Sequence, residues 1–220
     1  MKDTCAIILA GGQGTRMGRP KQMLLVAGKP IVQRSIEAFK KVPRVAKIIV
    51  VSSFENIAIL SKKYKDITFA PAGKTRVASL KNGLEALGKN SYKLIAVHDG
   101  ARPLIAKEDI ENCLKSANKN KAAVLGVMSK DTVKQIKEGF ISKTLKRSSL
   151  FCAQTPQCYK KTILQQALAK YGHLDATDES QLVEKLGIKV QAVLGSYSNI
   201  KITTPEDLII AEALCKNMKK

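Results

Sequence analysis

Where the first apolar run of the chain ends, glycines and positive charge come together. Ile7-Ile8-Leu9-Ala10-Gly11-Gly12-Gln13-Gly14-Thr15-Arg16-Met17-Gly18 is followed by Arg19-Pro20-Lys21-Gln22. Glycines let a backbone approach a ligand closely, so that successive N–H groups can point at phosphate oxygens. Arg16 and Lys21 add positive charge at the same place. This combination suits a nucleoside triphosphate. The spacing excludes two familiar phosphate loops. A Walker A loop needs Lys-Ser or Lys-Thr after its last glycine, and neither Gly14 nor Gly18 is followed by one. A dinucleotide fingerprint needs a glycine three places after Gly14, where Met17 stands.

A second group, His98-Asp99-Gly100-Ala101-Arg102-Pro103, follows the apolar run Leu94-Ile95-Ala96-Val97. A carboxylate at a strand end opposite a phosphate loop can hold a Mg²⁺ bound to a triphosphate, which makes Asp99 a metal candidate. Arg102 either anchors a phosphate or pairs with Asp99, and His98 reads as a hydrogen-bonding residue rather than a catalytic base. Gln154-Thr155-Pro156-Gln157 and Ala176-Thr177-Asp178-Glu179-Ser180 are polar clusters expected in loops, and Thr177 or Asp178 is also a suitable helix cap. Lys201 alternates with Ile200 and Ile202, so it points away from their face.

These groups need a frame. Short β-branched runs predict strands at about 5–10, 46–52, 66–70, 93–98 and 122–128, alternating with helices at about 30–41, 54–64, 75–88, 107–119 and 160–171. Pro30 suits a first helical position and Thr75 a cap. Such alternation implies right-handed βαβ units and a mostly parallel sheet covered on both faces, with the ligand beyond the carboxyl ends of the strands. The segment from Lys130 to Ser149 breaks the rhythm. It alternates polar and apolar residues around Glu138-Gly139, a hairpin signal, and a lone ribbon needs a neighbour such as a second subunit. Further strands are expected at about 188–194 and 199–203, and Thr204-Pro205-Glu206-Asp207 opens a last helix.

At 220 residues with 45% apolar content, the chain is expected to be one domain spanning residues 1–220. Its 38 basic and 18 acidic residues leave a net charge of +20. That balance suits phosphates, and it also keeps open a reading from another class, a nucleic-acid-binding module with steeply salt-dependent affinity for any duplex. The lysines are scattered, however, with no aromatic-interleaved stripe, and read mostly as a solvated surface without a specific nucleic-acid partner. Five cysteines without a C-x-x-C pair fit free thiols in a reducing cytosol. No run is long enough for a membrane span, so the expected location is cytoplasmic with no membrane contact.

With these segments assembled, the chain resembles the 2-C-methyl-D-erythritol 4-phosphate cytidylyltransferases of the non-mevalonate isoprenoid pathway. The resemblance runs through the glycine loop with Pro20-Lys21-Gln22, Arg76 with Ser79, and Val97 to Pro103. It continues through Asp131-Thr132-Val133-Lys134, Gln154 to Gln157, Thr177-Asp178-Glu179, Asn199 to Thr203 and Pro205-Glu206-Asp207. It implies a Rossmann-like nucleotidyltransferase fold of α/β class, a homodimer joined through a β-arm at about 130–150, and Mg²⁺-dependent transfer of CMP from CTP. By motif, Ala10, Gly11, Gly12 and Gly14 would hold the triphosphate, with Arg16 and Lys21 at the reacting phosphate. Gly73 and Ser79 would line the cytosine pocket, and Asp99 would serve ribose and metal. Lys201 would stabilise the transition state, while Arg102, Arg147, Thr155 and Thr177 would face the polyol phosphate, Arg147 in the partner subunit's site. Two departures stand out. Ala72-Gly73-Lys74-Thr75-Arg76-Val77-Ala78-Ser79-Leu80 replaces the usual Gly-Gly-x-x-Arg-x-x-Ser-Val. Ala10-Gly11-Gly12 replaces Ala-Ala-Gly, a form also found in ribitol-5-phosphate cytidylyltransferases, which supply the alternative substrate.

Overall fold

The computed structural model describes residues 2–12, 14, 17–18, 20–88, 91–174 and 176–217. In chain order its strands are β1 (Thr4–Ala10), β2 (Leu25–Val26), β3 (Lys29–Pro30), β4 (Val45–Ser52), β5 (Thr68–Pro71), β6 (Leu94–Asp99), β7 (Ala122–Met128), β8 (Lys134–Lys137), β9 (Phe140–Thr144), β10 (Phe151–Lys160) and β11 (Gln191–Leu194). The helices are α1 (Ile31–Lys40), α2 (Phe54–Lys63), α3 (Arg76–Glu85), α4 (Lys107–Asn120), α5 (Lys161–Tyr171), α6 (Glu179–Lys185) and α7 (Pro205–Asn217).

Seven strands form one sheet in the order β11-β7-β10-β6-β1-β4-β5. All neighbours pair in parallel except β10, which runs antiparallel between β6 and β7. Period-two alternation divides the apolar strand residues between two layers. From β1, Ala6, Ile8 and Ala10 pack with α1, α2 and α4, while Cys5 and Ile7 pack with α3, α5 and α6. After β1 the chain moves outward through β4 and β5, then returns through α3 to place β6 on the other side of β1. The order reverses between β1 and β6, and in an open α/β sheet such a point leaves a crevice beyond the strand ends.

A smaller apolar cluster of Val26, Ile31, Leu104, Ile202, Ala211 and Cys215 fastens the β2–β3 hairpin and α7 beside that crevice. The β8–β9 ribbon forms its own two-stranded sheet. It turns through Glu138 at φ 52° and Gly139 at φ 84°, the two positive values that a tight hairpin of this type requires. Its apolar residues Ile136, Phe140 and Ile141 are exposed. Among the described residues, no helix is long and apolar enough to cross a membrane.

Three local expectations need correction. Gln154 to Gln157 lie in β10 and not in a loop. Their polar run with Pro156 hides the strand pattern, and the ladder to β7 shifts register between Ala153 and Gln157, where the Thr155–Pro156 peptide is cis. Residues 199–203 form no strand; side-chain hydrogen bonds hold them in place of a ladder. Pro30 caps α1 from outside, and the helix begins at Ile31.

Gly11 sits where β1 meets the segment after β5. A Cβ there would lie 2.2 Å from the Ala72 Cβ, whereas one at Gly12 would meet nothing nearer than 3.8 Å. Gly11→Ala is therefore expected to cost roughly 1–3 kcal/mol in urea denaturation, with Gly12→Ala close to neutral. Equal midpoints for the two variants would contradict this packing.

Candidate active site

The crevice between β1 and β6 is a cleft of about 520 Å³. One wall is the loop after β1, with Ala10, Gly11, Gly12, Gly14 and Lys21. Buried Gln22 braces it from below, its Nε2 donating to the Gly12 carbonyl. The opposite wall is the turn from β5 into α3. Thr75 caps that helix by accepting from the Ala78 N–H at 3.0 Å, and Ser79 Oγ accepts from the Gly73 N–H at 3.0 Å while donating to the Thr75 carbonyl at 2.9 Å. Gly73 is required by close approach, since a Cβ there would lie 2.5 Å from the Ala78 Cβ. A helix N-terminus carrying Lys74 and Arg76 thus faces the cleft, which favours an anionic ligand.

Asp99 closes the base of the cleft at the end of β6. It pairs in register with Leu9, and the following Gly100 N–H donates to the Leu9 carbonyl at 2.8 Å. Its carboxylate is shared among three cations. Arg76 Nη1 donates to Oδ1, Lys201 Nζ lies 2.8 Å from Oδ2, and Arg102 Nε lies 3.9 Å from Oδ2. Burial pushes the Asp99 carboxyl up, but Arg76, Lys201 and Arg102 outweigh it and hold it well below the usual carboxylate range. The second arm of Arg76, Nη2, donates to Glu179 Oε2 at 2.8 Å. Burial pushes Glu179 up, and Arg76 opposes that.

Behind Asp99, His98 and Thr155 form a buried brace. His98 Nε2 lies 3.2 Å from the Arg102 carbonyl, which can only accept, so Nε2 carries the proton. Nδ1 then accepts from the Thr155 hydroxyl at 3.1 Å, and Thr155 Oγ1 accepts from the Asp99 N–H at 3.0 Å. Burial pushes His98 down to about 4, so it is neutral at pH 7 with both nitrogens engaged. Lys201 is delivered by similar pinning. Arg102 Nη1 donates to the Asn199 carbonyl at 2.7 Å, and Asn199 Nδ2 donates to Gln154 Oε1 at 3.0 Å and to the Thr155 carbonyl at 2.9 Å. The Ile202 N–H donates to the Ala101 carbonyl at 2.9 Å. These bonds replace the expected strand.

Nine of the residues picked from the sequence therefore line one cleft: Ala10, Gly11, Gly12, Gly14, Lys21, Gly73, Ser79, Asp99 and Lys201. Arg102 and Thr155 stand behind Asp99. Thr177 is exposed and accepts from Gln181 Nε2 at 2.7 Å, while Asp178 is the residue that caps α6. Arg147 is on the arm side, with Nη1 donating to the Lys130 carbonyl at 3.3 Å. Arg16 lies outside the described residues. Arg76, Glu179 and Lys74 were given no role from the sequence, since the contacts that reveal Arg76 and Glu179 join residues 103 positions apart.

The family model for 2-C-methyl-D-erythritol 4-phosphate cytidylyltransferase matches residues 4–217. The chain belongs to that family. Relatives of the same description from Endomicrobium trichonymphae and Clostridium acetobutylicum are 44% and 41% identical, over 96% of this chain in both cases and 98% and 97% of theirs. A solved 4-diphosphocytidyl-2C-methyl-D-erythritol synthase from Anaerococcus prevotii superposes with a TM-score of 0.87 at 34% identity, over 98% of this chain and 96% of that one. The corresponding Francisella tularensis cytidylyltransferase gives 0.83 at 31% identity, over 96% and 99%. The protein is thus a cytidylyltransferase of isoprenoid precursor biosynthesis with an α/β nucleotidyltransferase fold.

The brace makes a test. Thr155→Val would leave the Asp99 N–H and His98 Nδ1 buried without partners, at a cost of about 1–3 kcal/mol for each group, whereas Thr155→Ser keeps both bonds. Equal stability of the two variants in denaturant titration would refute the brace.

Proposed function

We propose that this cytidylyltransferase transfers CMP from CTP to 2-C-methyl-D-erythritol 4-phosphate with Mg²⁺, giving 4-diphosphocytidyl-2-C-methyl-D-erythritol and pyrophosphate. The observation that carries the reading is the Asp99–Lys201–Arg76 cluster facing the glycine loop across one cleft. The nucleophile is the substrate's own phosphate oxygen, already ionised at pH 7, so no enzyme base is needed. What the chemistry needs is two anions aligned and the charge of departing pyrophosphate stabilised. Lys21 and Lys201 line the cleft for that task, with Arg16 assigned beside them by motif. The loop Ala10–Gly14 takes the triphosphate, and Gly73 with Ser79 takes the base.

Among the described residues, no three His, Cys, Asp or Glu side chains gather as a metal site. One carboxylate, Asp99, nevertheless suits a Mg²⁺ that arrives with its nucleotide, because Mg²⁺ is commonly held by one or two carboxylates plus substrate phosphates. When bound, the ion neutralises charge on the triphosphate. Asp99 would be the carboxylate that holds it, with Lys201 beside it.

The exposed Ile136, Phe140 and Ile141 of the β8–β9 arm support a homodimer through that arm, with Arg147 reaching the polyol phosphate in the partner's site beside Arg102 and Thr177. The rest of the chain acts as one domain in the cytoplasm, where its five cysteines stay free as they are in the structure.

Pyrophosphate release tests the assignment. The expected result is turnover with Mg²⁺, CTP and 2-C-methyl-D-erythritol 4-phosphate, and little with UTP, ATP, GTP or ribitol 5-phosphate. Lys201→Ala and Lys21→Ala are each expected to lower kcat by roughly 10²-fold or more, as loss of single electrostatic stabilisers does elsewhere. Preference for ribitol 5-phosphate would move the substrate assignment. Near-normal kcat in a folded lysine variant would remove that lysine from the mechanism.

A further inference from the structure

A guanidinium facing a carboxylate ordinarily closes a two-pronged pair, with two parallel N–H···O bonds. Arg76 does not do so. Its Nη1 donates to Asp99 Oδ1 and its Nη2 to Glu179 Oε2 at 2.8 Å, so one fork is divided between two carboxylates. Asp99 Oδ2 is thereby left to Lys201 at 2.8 Å, with Arg102 Nε further off at 3.9 Å. Glu179 is firmly seated. Its side chain is 1% exposed, and it opens α6, whose start is tied to β10. Gln157 Nε2 donates to Asp178 Oδ2 at 2.9 Å, and the Ser180 N–H donates to Gln157 Oε1 at 3.3 Å.

A buried carboxylate needs a reason. Among the described residues, Glu179 Oε1 has no hydrogen-bond partner, and neither has Arg76 Nε. Well-packed apolar side chains in place of a whole buried ion pair often leave a fold no less stable, so stability alone does not account for the Arg76–Glu179 pair. We propose that Glu179 is a positioning residue for Asp99: by occupying one prong of Arg76 it prevents a two-pronged Arg76–Asp99 pair and keeps Asp99 Oδ2 open to Lys201 and to the cation of an incoming Mg²⁺–nucleotide. The inference rests on the reading of the cleft given under Proposed function, and it adds a residue to which that reading assigns nothing. It also links two parts of the site, since Glu179 follows directly on Thr177 and Asp178 while Asp99 lies at the nucleotide loop.

The test is CTP binding by calorimetry, with and without Mg²⁺, on the full chain. In Glu179→Leu the free prong closes on Asp99, and the Mg²⁺-dependent gain in CTP affinity is expected to fall by about tenfold or more, as when outer partners of metal ligands are removed. Affinity without Mg²⁺ should stay within a factor of about three, and Glu179→Gln, whose amide oxygen still accepts from Nη2, should keep most of the gain. Should Glu179→Leu fail to fold, as judged by circular dichroism, Glu179→Asp retains the charge but shortens the reach, and a severalfold loss of the same gain is expected. An undiminished gain in the folded Leu variant, or in Asp if Leu does not fold, overturns the inference alone. So does equal loss with and without Mg²⁺, which marks a merely structural role. Wild-type protein that binds CTP no better with Mg²⁺ overturns the reading of the cleft and this inference with it.

Discussion

The site depends on one buried carboxylate. Asp99 sits at the end of a central strand, where an ionised group is tolerable only if paired, and three cations converge on it, two of them from distant parts of the chain. Arg76 comes from the start of α3, Arg102 from the loop after β6, and Lys201 from the segment before α7. The fold and its hydrogen bonds deliver each of them, and the Asp99 carboxylate is the charge on which they meet, beside the glycine loop.

The sheet makes this convergence possible without itself supplying the chemistry. Reversal of strand order between β1 and β6 opens the crevice, and the parallel ladders fix Leu9 opposite Asp99. Beyond the ladders, side-chain hydrogen bonds take over. His98 and Thr155 hold the Asp99 backbone, Asn199 holds the Lys201 segment against β10, and buried Ser35 of α1 donates to the Gly100 carbonyl at 3.2 Å. The residues behind the site are therefore polar and buried, and the hydrogen bonds they make support a cleft that must bind several negative charges.

Much of this was legible in the sequence, for reasons that differ by element. The glycine loop and Asp99 were readable because their chemistry is local: each follows an apolar strand within a few residues. The βαβ alternation carried the sheet and its helices, and Thr75 was readable as a cap. β10 was not, since Gln154-Thr155-Pro156-Gln157 has neither alternation nor continuous apolar character. Residues 199–203 misled in the opposite sense, because Ile200-Lys201-Ile202 alternates like a strand although Asn199 and Arg102, not a ladder, position it. The divided Arg76 fork left no local trace at all. Lys201, Thr155 and Thr177 gained their candidate roles only through the family resemblance, and the structure distinguishes them: Lys201 in the cleft, Thr155 behind it, Thr177 at the surface.

The most direct test of the account is a pH titration of the Asp99 carboxyl carbon by ¹³C NMR, assigned with Asp99→Asn. A carboxyl held below its unfolded value contributes stability that is present above about pH 3.9 and lost as pH falls further. Asp99 is therefore predicted to show no inflection near that value and to stay charged until acid unfolds the protein. Lys201→Ala should move its titration upward. An Asp99 inflection at or above the ordinary carboxylate value in the wild-type protein would contradict the account, because the carboxylate would not then be what holds the cations together.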